Sequence, residues 1–310
     1  MILTSKQIKK TAVFTVIFIG LMFGLDFIYQ QVYKKEQSTK FGKIFNLQNQ
    51  KFDYIFLGNS RALINAQVGE LNKETSLQGY NLGLDGSNAM HQFLLLHTFL
   101  KNKNTCKAIY FNYDPWGVQL RLNNKQRIYG FLPHLSDDSI YTHLRQTFGY
   151  RTFLWKYIPM WKFSEFNSRL GLVPFTTIVS KTFKEKINKT GDYVDVSKKI
   201  FKPAETNEYE EILIREENIS YLKKIAQLCA DNHIKLIFYT SPVYFLNYKR
   251  YTNIEKINTQ VFQQISSVYY NFCDSDICNK LEYFYDRHHL NQAGNKVFTP
   301  LLTQMINTTR

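Results

Sequence analysis

The sequence has few of the residues that build metal sites and covalent frameworks. It contains four cysteines in 310 residues, and no Cys-x-x-Cys pair occurs among Cys106, Cys229, Cys273 and Cys278. Structural zinc sites usually use such pairs, so the sequence predicts no zinc site. In an oxidising compartment Cys273 and Cys278 could form a disulfide, and buried free thiols are an equally good expectation.

Acidic residues are scarce beside basic ones. The chain has 25 Asp and Glu against 39 Lys and Arg, a formal net charge of +14. The basic residues are scattered, however, and no nucleic-acid-binding motif accompanies them. Their densest stretch, residues 181–202, indicates a solvated basic face near anionic lipid or glycan. We therefore predict contact with a membrane or a glycan and no nucleic-acid partner. The sequence also lacks internal repeats and low-complexity tracts.

One long apolar run, residues 12–29, lies near the N-terminus. At about 1.5 Å per residue it spans most of a bilayer core of roughly 30 Å. No cleavage site of small residues follows it, so we predict an uncleaved single-pass anchor rather than a signal peptide. Asp26 lies near its outer end and is expected to snorkel to the interface.

The lysines before this run set the expected orientation. Three of them favour a cytoplasmic N-terminus, namely Lys6, Lys9 and Lys10. The sequence thus predicts a protein of the inner (cytoplasmic) membrane whose main domain is periplasmic. The predicted organisation is a cytoplasmic flank and transmembrane anchor over 1–31, a polar stalk over 32–50, and one domain over 51–310.

Strand and helix patterns alternate along most of this domain. Strands are predicted at 52–58, 78–82, 107–113, 234–240 and 268–273, and helices at 61–72, 87–101, 209–231, 252–266 and 291–308. Such alternation predicts an α/β fold with a mainly parallel sheet covered on both faces. The carboxyl ends of the first three strands would bring the segments near Ser60, Gly86 and Asn112 to one edge of the sheet.

Residues 117–205 interrupt the alternation and are rich in aromatic and basic residues. We predict an insertion that forms a lid or side wall over the strand ends. Three roles for its aromatic rings remain open: stacking on sugar rings, resting at the membrane surface, and filling the core of a small helical subdomain.

A serine, a histidine and an acid occupy positions that indicate acyl chemistry. Ser60 follows the first strand in Gly58-Asn59-Ser60, and Asp286-x-x-His289 lies near the C-terminus. A serine hydroxyl needs a base to become a nucleophile, and a carboxylate that holds the base completes a triad. The backbone N–H groups of Ser60 and Gly86 and the side-chain amide of Asn112 are candidate donors for the oxyanion.

These segments resemble the motif blocks of the SGNH (GDSL-type) hydrolase superfamily, in a membrane-anchored bacterial subgroup similar to proteins of cell-envelope polysaccharide O-acylation. The resemblance covers residues 50–116 and 230–308, and it rests on three motifs: Leu57-Gly58-Asn59-Ser60-Arg61, Asn81-Leu82-Gly83-Leu84-Asp85-Gly86 and Asp286-Arg287-His288-His289-Leu290-Asn291-Gln292-Ala293-Gly294. It implies a flavodoxin-like three-layer α/β/α sandwich. It also implies Ser60 as the nucleophile, His289 as the base and Gly86 as an oxyanion donor.

The third block departs from the family pattern. The family usually carries Gly-x-Asn-Asp after the third strand, whereas this chain has Phe111-Asn112-Tyr113-Asp114-Pro115. Asn112 therefore lies one position early, and the glycine is absent.

Two functions are compatible with these observations. The first is a periplasmic serine esterase or O-acyltransferase that acts on acyl esters of a cell-surface polysaccharide through an acyl-enzyme, without a cofactor. The second is a catalytically degenerate protein that binds glycan or serves as a scaffold. An acylated glycan is the expected substrate of the enzyme, and a membrane-bound O-acyltransferase is an expected partner, which the scaffold would serve.

Overall fold

The computed structural model describes residues 4–182, 186–202, 209–265 and 268–310. The chain divides into two compact units. The first comprises the described residues of Met1–Gly42 and Ile128–Lys184, and the second those of Lys43–Arg127 and Glu185–Arg310.

The second unit is built on a parallel sheet of five strands. The strands are β1 (Lys51–Leu57), β2 (Gly79–Asn81), β3 (Thr105–Asn112), β4 (Lys235–Thr240) and β5 (Val268–Asn271). Their order is β2-β1-β3-β4-β5, and every neighbouring pair is parallel. This is the flavodoxin order, so the predicted α/β fold with a parallel sheet is confirmed.

Fourteen α-helices occur among the described residues. They are α1 (Ser5–Lys35), α2 (Lys40–Phe45), α3 (Ser60–Asn65), α4 (Val68–Thr75), α5 (Ala89–Lys101), α6 (Asp138–Phe148), α7 (Tyr150–Tyr157), α8 (Trp161–Glu165), α9 (Asn167–Leu170), α10 (Leu172–Val179), α11 (Glu216–Asp231), α12 (Phe245–Lys249), α13 (Ile254–Gln264) and α14 (Gln292–Thr309). Short 3₁₀ helices lie at Pro115–Gln119, Ile128–Gly130, Leu132–His134, Phe272–Asp274, Asp276–Asn279 and Leu281–Tyr283. The range predicted as a stalk contains the end of α1 and all of α2.

The helix predicted over 61–72 is two helices, α3 and α4. The chain leaves helical geometry at Ala66, whose carbonyl accepts a hydrogen bond from the Asn81 side chain. Asp192 then accepts the N–H groups of Val68 and Gly69 and so caps α4. The break is stable because these partners replace the helical hydrogen bonds that it removes.

The helix predicted over 209–231 begins only at Glu216. Asn253 holds the preceding segment in an extended form, because its side chain both accepts from the N–H of Ile212 and donates to the carbonyl of Ile212. The sequence pattern contains no sign of this partner, which lies 41 residues further along the chain.

The core of the second unit lies on both faces of the sheet. On one face, side chains of β1, β3 and β4 pack against α4 and α14, in a cluster that includes Tyr54, Phe56, Tyr110, Tyr239, Leu71, Phe298, Leu302 and Ile306. Side chains alternate along a strand, so Phe238 points to the other face, where it packs on Phe262 of α13. The four cysteines are free thiols, and all of them are buried.

The first unit joins α1 to α6–α10, helices that lie within the predicted insertion. Asp26 on α1 is only 7% exposed. Its carboxylate forms an ion pair with Lys162 at 2.9 Å and accepts the backbone N–H of Met160 at 2.8 Å. Lys162 and Met160 bind the carboxylate inside the unit, so Asp26 does not extend into water as a snorkelling side chain would.

Candidate active site

The turn between β1 and α3 places Ser60 at the first position of a helix. Asn59 caps that helix, accepting a hydrogen bond from the N–H of Arg61 at 2.9 Å. Gly58 has a φ of +151°, and a Cβ there would lie 2.9 Å from the Cβ atoms of both Ala62 and Asn112. Only glycine fits this close approach, which turns the chain so that Ser60 stands at the carboxyl edge of the sheet.

The structure brings Ser60, His289 and Asp286 into hydrogen-bonding contact. His289 Nε2 lies 2.7 Å from Ser60 Oγ. His289 Nδ1 lies 2.9 Å from Asp286 Oδ2 and 3.0 Å from Oδ1. The two ring nitrogens thus contact the hydroxyl and the carboxylate in the order that a nucleophile, base and orienting acid require.

The loop that carries His289 is held by the same carboxylate. Asp286 Oδ1 accepts the backbone N–H groups of both His288 and His289, each at 2.8 Å. Burial by itself raises the pKa of Asp286, but the hydrogen bond and charge of His289 and these two N–H groups outweigh it, so the pKa is lowered. The carboxylate stays ionised at neutral pH, as stabilisation of a protonated His289 requires.

His288 has a different environment from its neighbour. Burial, with the nearby positive charge of Arg61, lowers the pKa of His288 to about 4. Its Nδ1 lies 3.2 Å from the side-chain nitrogen of Asn247, and its ring lies beside Trp116. His288 is therefore neutral at physiological pH and contacts Asn247, whereas His289 contacts Ser60.

The loop that contains Gly86 is hydrogen-bonded to the residue that follows β1. The N–H of Leu84 and the hydroxyl of Ser87 both donate to the carbonyl of Gly58, at 3.0 and 3.2 Å. Gly86 lies between these two residues with a φ of +63°. The loop is thus anchored two residues before Ser60. Gly86 as an oxyanion donor stays a prediction.

The Asn112 side chain belongs to a buried hydrogen-bond network. Its amide donates to Asp114 Oδ1 at 3.2 Å, and its oxygen accepts from the hydroxyl of Ser241 at 2.9 Å. An amide nitrogen carries two hydrogens, so Asp114 orients the group and takes one of them. The role of Asn112 as a third oxyanion donor also stays a prediction.

Sequence reasoning missed the role of Asp114. Its carboxylate forms a buried ion pair with Arg61 and accepts from the side chain of Asn59 at 2.6 Å. Arg61 also donates to the carbonyl of Ser241. Asp114 therefore holds both neighbours of Ser60. The available signal was the position of this aspartate, two residues after β3 and within the altered third block.

Sequence reasoning also missed two asparagines that hold the segments carrying Ser60 and His289. The Asn81 side chain donates to the carbonyls of Ala62 and Ala66, both at 2.9 Å, and so fixes α3. Asn65 accepts the backbone N–H of Leu290, the residue after His289, at 3.2 Å. These bonds fix the helix of Ser60 and link it to the loop of the base.

Comparison with known proteins gives a likeness to solved structures only. No protein-family model matches the chain, and no curated protein matches it. A GDSL-like lipase from Bacteroides thetaiotaomicron is 10% identical with a TM-score of 0.44, covering 91% of this chain and 100% of the lipase. A putative acylhydrolase from Bacteroides fragilis is 13% identical with a TM-score of 0.42, covering 86% of this chain and 93% of its own. At these values the likeness says nothing about the chemistry of this chain.

Proposed function

We propose that the protein is a membrane-anchored, extracytoplasmic serine esterase or O-acyltransferase that acts on acyl esters of a cell-surface polysaccharide. One observation carries the proposal: His289 Nε2 lies 2.7 Å from Ser60 Oγ while Nδ1 of the same ring contacts the Asp286 carboxylate. Ser60 is the nucleophile, His289 the general base and Asp286 the group that orients and stabilises the imidazole.

The reaction begins with the attack of Ser60 Oγ on the ester carbonyl carbon. His289 Nε2 accepts the hydroxyl proton, and Asp286 stabilises the resulting imidazolium. The tetrahedral intermediate collapses by breaking the bond to the alcohol oxygen, which takes the proton from His289 as it leaves. The acyl group is then an ester of Ser60. Water, or a sugar hydroxyl, attacks this ester by the reverse sequence and regenerates the serine.

The oxyanion of each intermediate requires nearby donors. We assign this role to the N–H groups of Ser60 and Gly86 and to the second amide hydrogen of Asn112. Two sets of hydrogen bonds support the assignment: those from the Gly86 loop to the carbonyl of Gly58, and the one from Asn112 to Asp114. They fix the donors in place before the reaction, and preorganised donors stabilise an oxyanion most effectively. Loss of one such donor typically costs about 10²–10³-fold in rate.

The N-terminal helix is the basis for the membrane location. Helix α1 is long and apolar enough to cross a membrane. Its last ten residues also belong to a folded unit, because Asp26, Tyr29 and Tyr33 are each less than 10% exposed. Removal of α1 as a signal peptide would leave the buried Lys162 without its carboxylate. This cost favours a retained anchor over a cleaved signal peptide. The lysines before the apolar run support an inner-membrane location with the N-terminus in the cytoplasm.

The polysaccharide substrate and a membrane-bound O-acyltransferase partner follow from the resemblance of the motifs and from this membrane location. The alternative is a degenerate scaffold for that partner, favoured by the departure of the third block from the family pattern. Both functions require the fold, but only the first requires the hydroxyl of Ser60.

Complementation separates the two functions. A strain lacking the gene receives the full chain, Ser60→Ala or Ser164→Ala, and the ester-linked acyl content of its surface polysaccharide is measured. Ser164 is an exposed helical serine in the first unit and serves as the matched control. We expect Ser164→Ala to restore the wild-type acyl pattern and Ser60→Ala to fail at equal protein level. Full restoration by Ser60→Ala would favour the scaffold.

A further inference from the structure

Helix α10 has a composition that is unusual for a short surface helix. Its sequence, Leu-Val-Pro-Phe-Thr-Thr-Ile-Val, contains no charged residue, and none of its residues is buried. Leu172 is 63% exposed and Val173 is 73% exposed. Exposed apolar residues that are adjacent in this way commonly mark an interaction surface.

The contacts of α1 give the position of this surface relative to a bilayer. Phe175 of α10 stacks on Tyr29 of α1 with ring centroids 4.0 Å apart. Tyr29 is the last residue of the apolar run, and Asp26 lies one turn before it. Since 18 residues of helix rise about 27 Å, this turn lies at the outer boundary of a bilayer core of roughly 30 Å.

A second segment of the insertion meets α1 at the same level. Met160 and Lys162 both contact Asp26. The residues beside them point outward, with Ile158 40% exposed and Trp161 44% exposed. Tryptophan favours the water–lipid boundary because its ring is apolar and its N–H is polar.

The neighbouring helix α7 also exposes aromatic side chains. Its exposed residues Tyr150, Phe153 and Tyr157 lie at helical spacing on one face, and each ring contacts the next. Cationic side chains accompany them, among which Lys156 lies 4.0 Å from the centre of the Tyr141 ring. Aromatic rings with interspersed cations suit the headgroup region of a bilayer that contains anionic lipid.

We propose that Ile158, Trp161, Leu172 and Val173 form a membrane-contact patch that inserts into the headgroup–acyl boundary of the bilayer spanned by α1. The proposal rests on the anchor in the proposed function. This part of the insertion then rests on the lipid surface, and the patch binds lipid rather than a sugar chain. Continuity with α1 through Tyr29 and Asp26 is the reason for choosing lipid.

Depth measurement by fluorescence quenching tests this patch. The full chain carries a single added cysteine at Val173, labelled with an environment-sensitive nitrobenzoxadiazole, and is reconstituted into vesicles of phosphatidylcholine and phosphatidylglycerol. The native thiols are all buried, so the unsubstituted chain serves to measure background labelling. Ile17→Cys on α1 is the control for spanning, and Gln146→Cys, on the exposed side of α6, is the control for solvent.

We expect lipids with a nitroxide near the headgroup to quench the label at Val173→Cys at least twofold more than the label at Gln146→Cys. Quenching at Ile17→Cys by lipids with a nitroxide on the acyl chain, together with solvent-like emission at Val173→Cys, would overturn the patch while leaving the anchor intact. Absence of quenching at both positions by either kind of lipid would overturn the anchor as well. A Val173→Cys label that responds to added oligosaccharide and not to nitroxide lipid would assign the surface to glycan.

Discussion

The side-chain oxygen of Asn65 accepts the backbone N–H of Leu290 at 3.2 Å, which joins the helix of Ser60 to the loop of His289. The amide of Asn65 also donates to the hydroxyl of Ser241 at 3.3 Å. Both bonds are buried. Asn65 therefore positions the loop of His289 relative to the helix of Ser60.

Asn65→Ala should lower kcat for ester hydrolysis about 100-fold while KM stays nearly constant. A small displacement of His289 slows proton transfer from Ser60 and leaves the contacts that bind substrate unchanged. The measurement is steady-state kinetics with an aryl acetate on the purified full chain.

The matched control is Asn72→Ala. Asn72 likewise accepts a backbone N–H, that of Gly79 at 2.8 Å, and lies away from the loop of the base. The Asn72→Ala variant should lose thermal stability and keep the kcat of the wild type. Equal kcat values for Asn65→Ala and the wild type would show that the Leu290 contact has no part in positioning His289.

Asp286→Asn should reduce kcat/KM by roughly 10³–10⁴-fold with little change in fold. The amide offers N–H donors to His289 Nδ1, which favours the tautomer that cannot accept the Ser60 proton. Asp276→Asn, at an exposed position ten residues earlier, is the control and should retain full activity. A loss of less than tenfold in Asp286→Asn would remove this carboxylate from the mechanism.

Asp114→Asn should destabilise the protein by about 3–5 kcal/mol, because it leaves the buried guanidinium of Arg61 without its counter-charge. The exposed pair of Lys73 and Glu70 provides the comparison, and Glu70→Gln should change stability by about 0–1 kcal/mol. Thermal unfolding in detergent micelles measures both. Similar melting temperatures for the two variants would show that the Arg61–Asp114 pair adds little to the fold.

Stability should fall as the pH drops from about 6.5 to 4. The folded-state pKa of His288 is about 4, lowered by burial and by Arg61, and an unfolded histidine titrates near 6.5. Between these values the unfolded chain binds more protons, so the contribution of His288 is complete above pH 6.5 and is lost towards pH 4.

In His288→Asn, the loss in free energy of unfolding between pH 6.5 and 4 should therefore be smaller by up to about 3 kcal/mol. Melting temperatures at pH 7.5 and 4.5 give the comparison. The control is His233→Asn at an exposed turn, whose curve should follow that of the wild type. Parallel curves for His288→Asn and the wild type would contradict the assigned burial of this ring.

The sequence was sufficient for the parts of the molecule that depend on local pattern. Alternating strands and helices predicted the parallel sheet, and the carboxyl ends of its strands gave the edge where Ser60 lies. The spacing of Asp286 and His289 predicted that one carboxylate would contact the base. These inferences needed only periodicity and the rule that parallel strands end at one edge.

Contacts between distant residues could not be predicted in the same way. Asn65 and Leu290 are separated by 225 positions, and an asparagine in a helix has no pattern that names its partner. The sequence indicates a carboxylate exposed to water at Asp26, because nothing in the sequence links this residue to Lys162, which lies 136 positions further along. Single polar contacts of this kind appear only in three dimensions.

Covalent labelling of Ser60 tests most directly whether its hydroxyl is an activated nucleophile. The full chain in detergent is treated with a fluorophosphonate, which phosphonylates an activated serine, and intact mass and peptide mapping locate the adduct. We expect one adduct per chain, on Ser60, absent in Ser60→Ala and formed much more slowly in His289→Gln. A folded protein that remains unlabelled while a known serine esterase reacts alongside it would show that Ser60 is not an activated nucleophile.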